Sequence, residues 1–114
     1  MAIKRGYIYD VDLDPSKGSE INKTRPCLVI SNNIFNKGAE MATIIPLTSK
    51  NTGKLYPGDV FISKGDGGIR MDSKAKTTQV RSVSKERFSQ EYGKVSTPVL
   101  NDIISELKTH LNIK

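Results

Sequence analysis

Residues 26–47 read PCLVISNNIFNKGAEMATIIPL, and this stretch decides the fold. It contains two apolar runs of strand length, residues 26–31 and residues 41–47, which are separated by a polar break at residues 32–38. Short continuous apolar runs between turn-forming residues are typical of buried β-strands. Proline cannot donate a hydrogen bond to a neighbouring strand, so Pro46 predicts that the second strand ends at a sheet edge or a bulge.

The chain before this stretch predicts one more strand and a long loop. Residues 6–13 read GYIYDVDL and alternate in polarity, with Ile8 and residues 11–13 facing the core. Residues 14–24 are polar and contain proline and glycine. This connection is longer than a tight hairpin turn, and long loops often carry binding residues.

The chain after this stretch predicts shorter strands separated by turns. Residues 51–54 have the composition of a turn, and residues 60–62 form a short apolar strand. Residues 77–81 are the best strand candidate in the weakly alternating segment that follows. Ser84 is a suitable N-cap for a short helix that continues to Phe88.

The C-terminal segment predicts an amphipathic helix. Thr97 is a good N-cap, and Pro98 occupies the first helical position, which proline favours. Apolar residues then recur on one face at helical spacing, namely Val99, Leu100, Ile103, Ile104, Leu107 and Leu111. Several short strands with one such helix indicate a single domain of mainly β class, residues 1–114. We expect a small β-barrel or strongly curved sheet, with the helix completing its core.

The composition limits the chemistry that is available to the chain. Its 114 residues include one cysteine, Cys27, and one histidine, His110. An intrachain disulfide and a metal site of cysteines or histidines are therefore excluded. Any catalysis must use arginine, lysine, hydroxyl, carboxylate, amide or phenol groups. The formal net charge of +6 favours a polyanionic partner such as a nucleic acid.

The N-terminal residues indicate where in the cell the protein is located. They read MAIKRGYIYD and lack the apolar core of a signal peptide. No apolar run in the chain approaches the ~20 residues that span a bilayer. We expect a soluble, cytoplasmic protein with no membrane partner and with Cys27 reduced.

Three polar segments at predicted strand ends are candidate functional sites. Arg25 would lie at the rim of the sheet, where its guanidinium could bind a phosphate or pair with Glu20. Residues 48–50, Thr-Ser-Lys, follow a strand end, and their hydroxyls could donate to a phosphate oxygen or cap a turn. Gln79 and Arg81 would share one strand face, either to contact nucleotides or as an ordinary polar surface.

Several short motifs, taken in order along the chain, resemble those of one family. They are RGYIY at 5–9, DLDP at 12–15, GSE at 18–20, TRP at 24–26, LVI at 28–30, PLTS at 46–49 and QVRSV at 79–83. Each motif is weak alone, but the ordered set followed by a C-terminal helix is specific. The chain resembles the MazF/PemK/Kid family over essentially its whole length.

This resemblance implies a fold, an activity and partners. The fold would be the SH3-like barrel of the Kid/MazF/CcdB type, working as a homodimer. The protein would be the toxin of a type II toxin–antitoxin pair and would cut single-stranded RNA, often mRNA, with sequence selectivity. The reaction would need no metal or other cofactor and would leave 2′,3′-cyclic phosphate and 5′-hydroxyl ends. An acidic antitoxin segment would occupy the RNA groove and inhibit the enzyme.

The resemblance also implies roles for individual residues. Arg25 matches the catalytic arginine of the family, and Thr48 matches the hydroxyl that acts with it. We expect RNA to contact Ser19, Glu20, Lys23, Thr24, Ser49, Lys50, Lys76, Thr78, Gln79 and Arg81. Thr78 stands where several members carry an acidic residue, which leaves Glu20 as the candidate carboxylate for proton transfer.

Two other functions are compatible with this fold class. A CcdB-like topoisomerase poison is one, but those proteins resemble one another at an aromatic C-terminal end containing Trp, which this chain lacks. A non-catalytic nucleic-acid-binding barrel is the other. Arg25 and Thr48 argue against it, whereas Lys76 and Thr78, which differ from the family pattern, argue for it. Cleavage of a plain RNA would distinguish the three.

Overall fold

A computed structural model describes residues 1–114 as seven strands and two α-helices. In chain order these elements are β1 (Tyr7–Asp12), β2 (Thr24–Val29), α1 (Asn33–Gly38), β3 (Met41–Thr48), β4 (Asp59–Ile62), β5 (Ser73–Lys76), β6 (Arg81–Ser84), β7 (Phe88–Lys94) and α2 (Thr97–His110). Short 3-10 turns lie at Asp66–Gly68, Thr77–Gln79 and Lys85–Arg87. Neither helix has the length and apolar character needed to span a membrane.

The strands form one antiparallel sheet with a branch at β3. The sheet runs in the order β4-β5-β3-β2-β1-β7, and β6 also pairs with β3. The mainly β fold with a C-terminal helix that the sequence predicts is confirmed. The sheet does not close completely, because β4 pairs only with β5 and β7 only with β1.

Pro46 lies inside β3, the most connected strand of the sheet. On one side β3 pairs with β2, where Pro46 is opposite Cys27. On the other side the pairing with β6 ends at Ile44 and the pairing with β5 begins at Leu47. The prediction of an edge at Pro46 is therefore wrong, since the strand is central and continues to Thr48. The proline occupies the gap between two partner strands, where no ladder hydrogen bond is needed on that side.

Two apolar clusters pack on opposite faces of the central strands. The first includes Ile8, Leu28 and Ile45 and is covered by α2, whose Ile103 is fully buried. The second is built from alternate residues of the same strands together with β6, including Tyr9, Val11, Cys27, Val29, Ile44 and Val83. Successive strand residues point to opposite faces, which explains how one sheet supplies both clusters. Burial of each such side chain stabilises the fold by about 1.5–3 kcal/mol.

Helix α2 packs as the sequence predicts, with a small shift at its start. Its N-cap is Ser96, one residue before the expected Thr97, and a proline lies in its first turn. Val99, Leu100, Ile104 and Leu107 pack against the first cluster. Leu111 is the exception, because it lies beyond the helix end and is half exposed.

The predicted strand at residues 77–81 is wrong, because the chain turns there. Thr77 is fully buried, and its hydroxyl donates to the carbonyl oxygen of Gly58 at 2.7 Å. Its amide donates to the same oxygen at 3.2 Å. These bonds hold a 3-10 turn between β5 and β6, so Gln79 and Arg81 do not share one strand face.

Helix α1, strand β6 and strand β7 were not predicted. Helix α1 replaces the expected break after β2, and the Asn32 side chain accepts a hydrogen bond from the amide of Phe35 at its N-cap. Strand β7, Phe88–Lys94, shows no alternation in its sequence, since most of its residues are exposed or half-buried. The short helix capped by Ser84 is confirmed as the 3-10 turn Lys85–Arg87.

Candidate functional site

Arg25 and Thr48 meet at the same end of two neighbouring strands. The β2–β3 register pairs Cys27 with Pro46, and continuing it by two residues places Arg25 opposite Thr48. Residues directly opposite in an antiparallel pair share a face, with Cβ atoms about 4.5–5.5 Å apart. The two residues to which the sequence motifs assign catalysis therefore lie at the same end of β2 and β3, two positions beyond the last paired residues.

Backbone contacts orient both of these side chains and leave donors free. Arg25 is half-buried, and its Nε donates to the carbonyl oxygen of Asn22 at 3.0 Å. No ion pair involves Arg25, so the alternative pairing with Glu20 does not occur. The Thr48 hydroxyl accepts from the amide of Lys50 at 3.2 Å and keeps its own hydrogen available. A guanidinium and a hydroxyl in this arrangement can bind the oxygens of one phosphate.

A cavity of about 250 Å³ opens beside Arg25, and we call it the first cavity. Arg25 and Ser49 lie in its wall. The other lining residues are Pro26, Leu47, Ile69, Arg70, Met71, Ser73 and Tyr92. Arg70 and Tyr92 could not be identified from the sequence, because only the folded chain brings them next to Arg25.

Four of the predicted RNA contacts line a second cavity of about 410 Å³. They are Glu20, Thr78, Gln79 and Arg81. The side chains come from the β1–β2 loop, the turn after β5 and the start of β6, so the fold assembles them from distant segments. Glu20 is the only carboxylate among the lining residues of this cavity.

Gln79 is hydrogen-bonded to the long β1–β2 loop. Its Oε1 accepts from the amide of Ile21 at 2.8 Å, and its Nε2 donates to the carbonyl oxygen of Ser19 at 3.3 Å. These two bonds connect the loop to the turn between β5 and β6. Gln79 therefore shapes the loop that presents Ser19 and Glu20 to solvent, a role that the sequence did not indicate.

Five predicted RNA contacts line neither cavity, namely Ser19, Lys23, Thr24, Lys50 and Lys76. Lys23 and Thr24 are exposed at the end of the loop, and Lys50 is exposed in the turn after β3. Thr24 instead lines a shallow hollow with Arg87, whose Nη1 donates to the carbonyl oxygen of Asp12 at 2.9 Å. These five residues, like those that line the cavities, stay predictions as RNA contacts.

Lys76 belongs to a buried ion-pair group, which we call the Asp59 cluster: Asp59, Lys74 and Lys76. The Lys76 Nζ lies 2.7 Å from Oδ1 of Asp59, a carboxylate that is fully buried. The buried Lys74 Nζ lies 3.4 Å from Oδ2 and donates to the carbonyl oxygens of Asn51 at 3.1 Å and Lys54 at 2.8 Å. The cluster thus ties the turn that follows Thr48 to β4 and β5.

The Asp59 cluster also controls the ionisation of its carboxylate. Burial raises the pKa of Asp59, but hydrogen bonds from Lys76 and from the Tyr56 amide lower it by more, so the net pKa lies below its ordinary value. A carboxylate with a depressed pKa contributes stability above its unfolded-state pKa. That contribution is lost as the pH falls through the folded-state pKa.

Cys27 takes no part in the chemistry of the site. Burial raises the pKa of its thiol far above the ordinary value, and the nearby Asp10 carboxylate raises it further. The thiolate, and not the thiol, is the reactive form of cysteine. The groups at the strand ends that are free to act on a ligand are therefore Arg25 and Thr48.

Comparison with known proteins assigns this arrangement to a family. Residues 4–111 match the family described as PemK-like, MazF-like toxin of type II toxin-antitoxin system. The chain belongs to this family. The family membership inferred from the sequence motifs is thereby confirmed.

Relatives and solved structures of PemK/MazF-like proteins match the chain almost end to end. The endoribonuclease MazF9 of Mycobacterium tuberculosis is 40% identical over 97% of this chain and 98% of its own. The endoribonuclease EndoA of Bacillus subtilis is 30% identical over 97% and 96%. MazF of Deinococcus radiodurans superposes with a TM-score of 0.85 at 22% identity, covering 98% of both chains. An endoribonuclease in complex with its cognate antitoxin, from a mycobacterial species, superposes with a TM-score of 0.81 at 22% identity, covering 99% and 98%.

Proposed function

We propose that this chain is the toxin of a type II toxin–antitoxin pair and cuts single-stranded RNA, including mRNA, with sequence selectivity. The observation that carries the proposal is that Arg25 and Thr48 lie at the same end of β2 and β3, each two positions beyond the last paired residues, Cys27 and Pro46. It is supported by full-length relatives that are named endoribonucleases. The proposed place of action is the cytoplasm, where the RNA substrate is found.

RNA carries its own nucleophile, the ribose 2′-hydroxyl, so the enzyme needs to align groups, neutralise charge and move protons. The 2′-oxygen attacks the adjacent phosphorus, and the bond from phosphorus to the 5′-oxygen breaks. The 2′-proton passes to a base, and the departing 5′-oxygen takes up a proton. The products are a 2′,3′-cyclic phosphate and a 5′-hydroxyl, and no metal ion or other cofactor enters this scheme.

Arg25 binds the scissile phosphate and stabilises the charge that develops on its oxygens. A guanidinium offers a planar set of donors that matches phosphate oxygens, which suits it to electrostatic stabilisation. Thr48 donates a hydrogen bond to a non-bridging oxygen of the same phosphate. Glu20, the carboxylate of the second cavity, is the proposed acceptor of the 2′-proton.

The proposed partners follow from charge and family. RNA and an acidic antitoxin segment are both polyanionic, and the chain has a net charge of +6. Because they share this character, the antitoxin segment inhibits by competing with RNA for the same groove. The proposed working unit is a homodimer.

The experiment incubates the purified wild-type chain with a long single-stranded RNA in EDTA and then maps the cut sites and end groups. The matched variants are Arg25→Ala, Arg25→Lys and Lys108→Ala, since Lys108 is an exposed cation on α2 that makes no ion pair. Loss of one charge-stabilising contact should lower the rate of Arg25→Ala by about 10² to 10³. Arg25→Lys should also be impaired because an ammonium cannot form the bidentate fork, whereas Lys108→Ala should match the wild type.

The outcomes distinguish the candidate functions. Discrete cuts with cyclic-phosphate ends in the wild type alone support the ribonuclease and the role of Arg25. A loss under fivefold in Arg25→Ala would remove Arg25 from catalysis. Salt-sensitive RNA binding without any cleavage would favour the non-catalytic barrel. Neither cleavage nor binding would favour a topoisomerase poison.

A further inference from the structure

The first cavity contains side chains that the proposed reaction does not use. Arg25 and Ser49 connect it to the scissile-phosphate position. Its base is apolar, because Leu47 and Ile69 are both almost fully buried. Donors line the rest of the cavity, so the lining combines apolar surface with polar groups, and a phosphate placed against the apolar part would lose hydration without compensation. The lining therefore fits a ligand with a flat apolar body and a polar edge.

The wall that carries Arg70 is rigid. Gly67 and Gly68 have φ values of 65° and 76°, a backbone region that other residues rarely adopt. A Cβ atom on Gly68 would lie 2.8 Å from the backbone oxygen of Tyr92, so the turn presses directly on β7. The Asp66 carboxylate accepts from the amide and the hydroxyl of Ser96, each at 2.7 Å. The segment leading to Arg70 is thus held against β7 at Gly68 and against the N-cap of α2 at Asp66.

Arg70 itself is free to bind a ligand. Its side chain is exposed and makes no ion pair or hydrogen bond within the chain. Its Cζ lies 5.9 Å from the centroid of the Tyr92 ring. The ring is held in place because the Tyr92 hydroxyl donates to Oδ1 of Asp10 at 2.8 Å. A guanidinium and a fixed aromatic ring are the two groups on which proteins stack unpaired bases.

We propose that the first cavity binds one unstacked nucleobase of the RNA next to the scissile phosphate, and that Arg70 is the residue that selects this base. The inference rests on the proposed ribonuclease function. The base lies over Leu47 and Ile69, and its edge meets the guanidinium of Arg70 and the hydroxyls of Ser49 and Ser73. Arg70 is not a catalytic residue, since it contacts a neighbouring base and leaves the phosphate to Arg25.

The test measures base preference at each position around the cut. The wild type, Arg70→Ala, Arg70→Lys and the same-loop control Lys64→Ala are incubated with a pool of single-stranded RNA of random sequence, and the cut ends are sequenced. The kcat/KM values are then measured on one preferred RNA and on the same RNA with an abasic nucleotide at the selected position. Thermal melting of each variant checks that it is folded.

We expect Arg70→Ala to lose preference at one position beside the cut, with a fall in kcat/KM of about 5- to 150-fold on the preferred RNA, the range of one bidentate contact to a base edge. Arg70→Lys should lose the same preference, because an ammonium cannot form the planar fork that matches a base edge. Lys64→Ala should retain the preference. The abasic nucleotide should lower kcat/KM for the wild type. It should not lower the residual kcat/KM of Arg70→Ala any further.

Two results would overturn the proposal while leaving the ribonuclease intact. One is cleavage by Arg70→Ala with the base preference and kcat/KM of the wild type. The other is a uniform loss of affinity at every sequence, which would assign Arg70 to a phosphate instead of a base. Absence of cleavage by the wild type would contradict the proposed function itself, so the two failures are distinguishable.

Discussion

Replacing Lys74 with methionine should destabilise the protein strongly. The substitution removes a buried cation that lies 3.4 Å from Asp59 and donates to two backbone carbonyls. Breaking a buried ion pair costs about 3–5 kcal/mol, because a charge is left without its partner. Lys76 still lies 2.7 Å from Asp59, so we expect a loss near the lower end, about 3 kcal/mol. At about 4 °C per kcal/mol for a domain of this size, the Tm should fall by about 12 °C.

Urea and thermal denaturation followed by circular dichroism measure this effect. Lys64→Met is the matched control, since Lys64 is exposed and makes no ion pair. The control should stay within about 0.5 kcal/mol of the wild type, as surface substitutions do. A loss below 1 kcal/mol for Lys74→Met would refute the reasoning. It would mean that the ion pair between Lys74 and Asp59 contributes no more to the free energy of unfolding than a surface ion pair does.

Acid should weaken the fold through the same carboxylate. The pKa of Asp59 is depressed in the folded state, so its contribution to stability is complete above about pH 5 and is lost as the pH falls below about 4. Between about pH 6 and pH 3 the free energy of unfolding should therefore fall more steeply for the wild type than for Asp59→Asn. Urea denaturation at each pH measures this free energy, and parallel plots against pH for the two proteins would contradict the prediction. Gln79→Ala should release the β1–β2 loop, because the Ile21 amide loses its hydrogen bond of 2.8 Å to Gln79. The hydrogen of this amide should then exchange about fivefold faster, which corresponds to one lost hydrogen bond. Hydrogen exchange followed by NMR measures this, with Gln90→Ala as an exposed control that should leave Ile21 unchanged.

Local patterns predicted the parts of the fold that depend on local chemistry. The amphipathic helix was identified because Pro98 and the apolar spacing after it are short-range features. The turn at Thr77 was missed because its cause is a hydrogen bond to Gly58, a residue distant in sequence. Strand β7 was missed because pairing with β1, and not alternation of its own residues, makes it a strand.

The candidate site shows the same division. Arg25 and Thr48 could be predicted because the motifs that contain them are contiguous in sequence. The roles of Gln79 and Lys76 could not, since one depends on the return of the β1–β2 loop and the other on the β4–β5 register that places Lys76 opposite Asp59. Arg70 carries no sequence pattern of its own and becomes a candidate only where the fold places it beside Arg25.

The pairing of the first strand with the last one constrains how the protein is made. Tyr7 lies opposite Lys94, so β1 lacks one of its two neighbours until residue 94 has left the ribosome. A nascent chain therefore carries an open strand edge, which is prone to pair with other chains, through most of translation. Tyr92, on that last strand, also completes the first cavity. The site thus assembles only after residue 94 has been made, and a shorter nascent chain has neither the finished sheet nor the finished site.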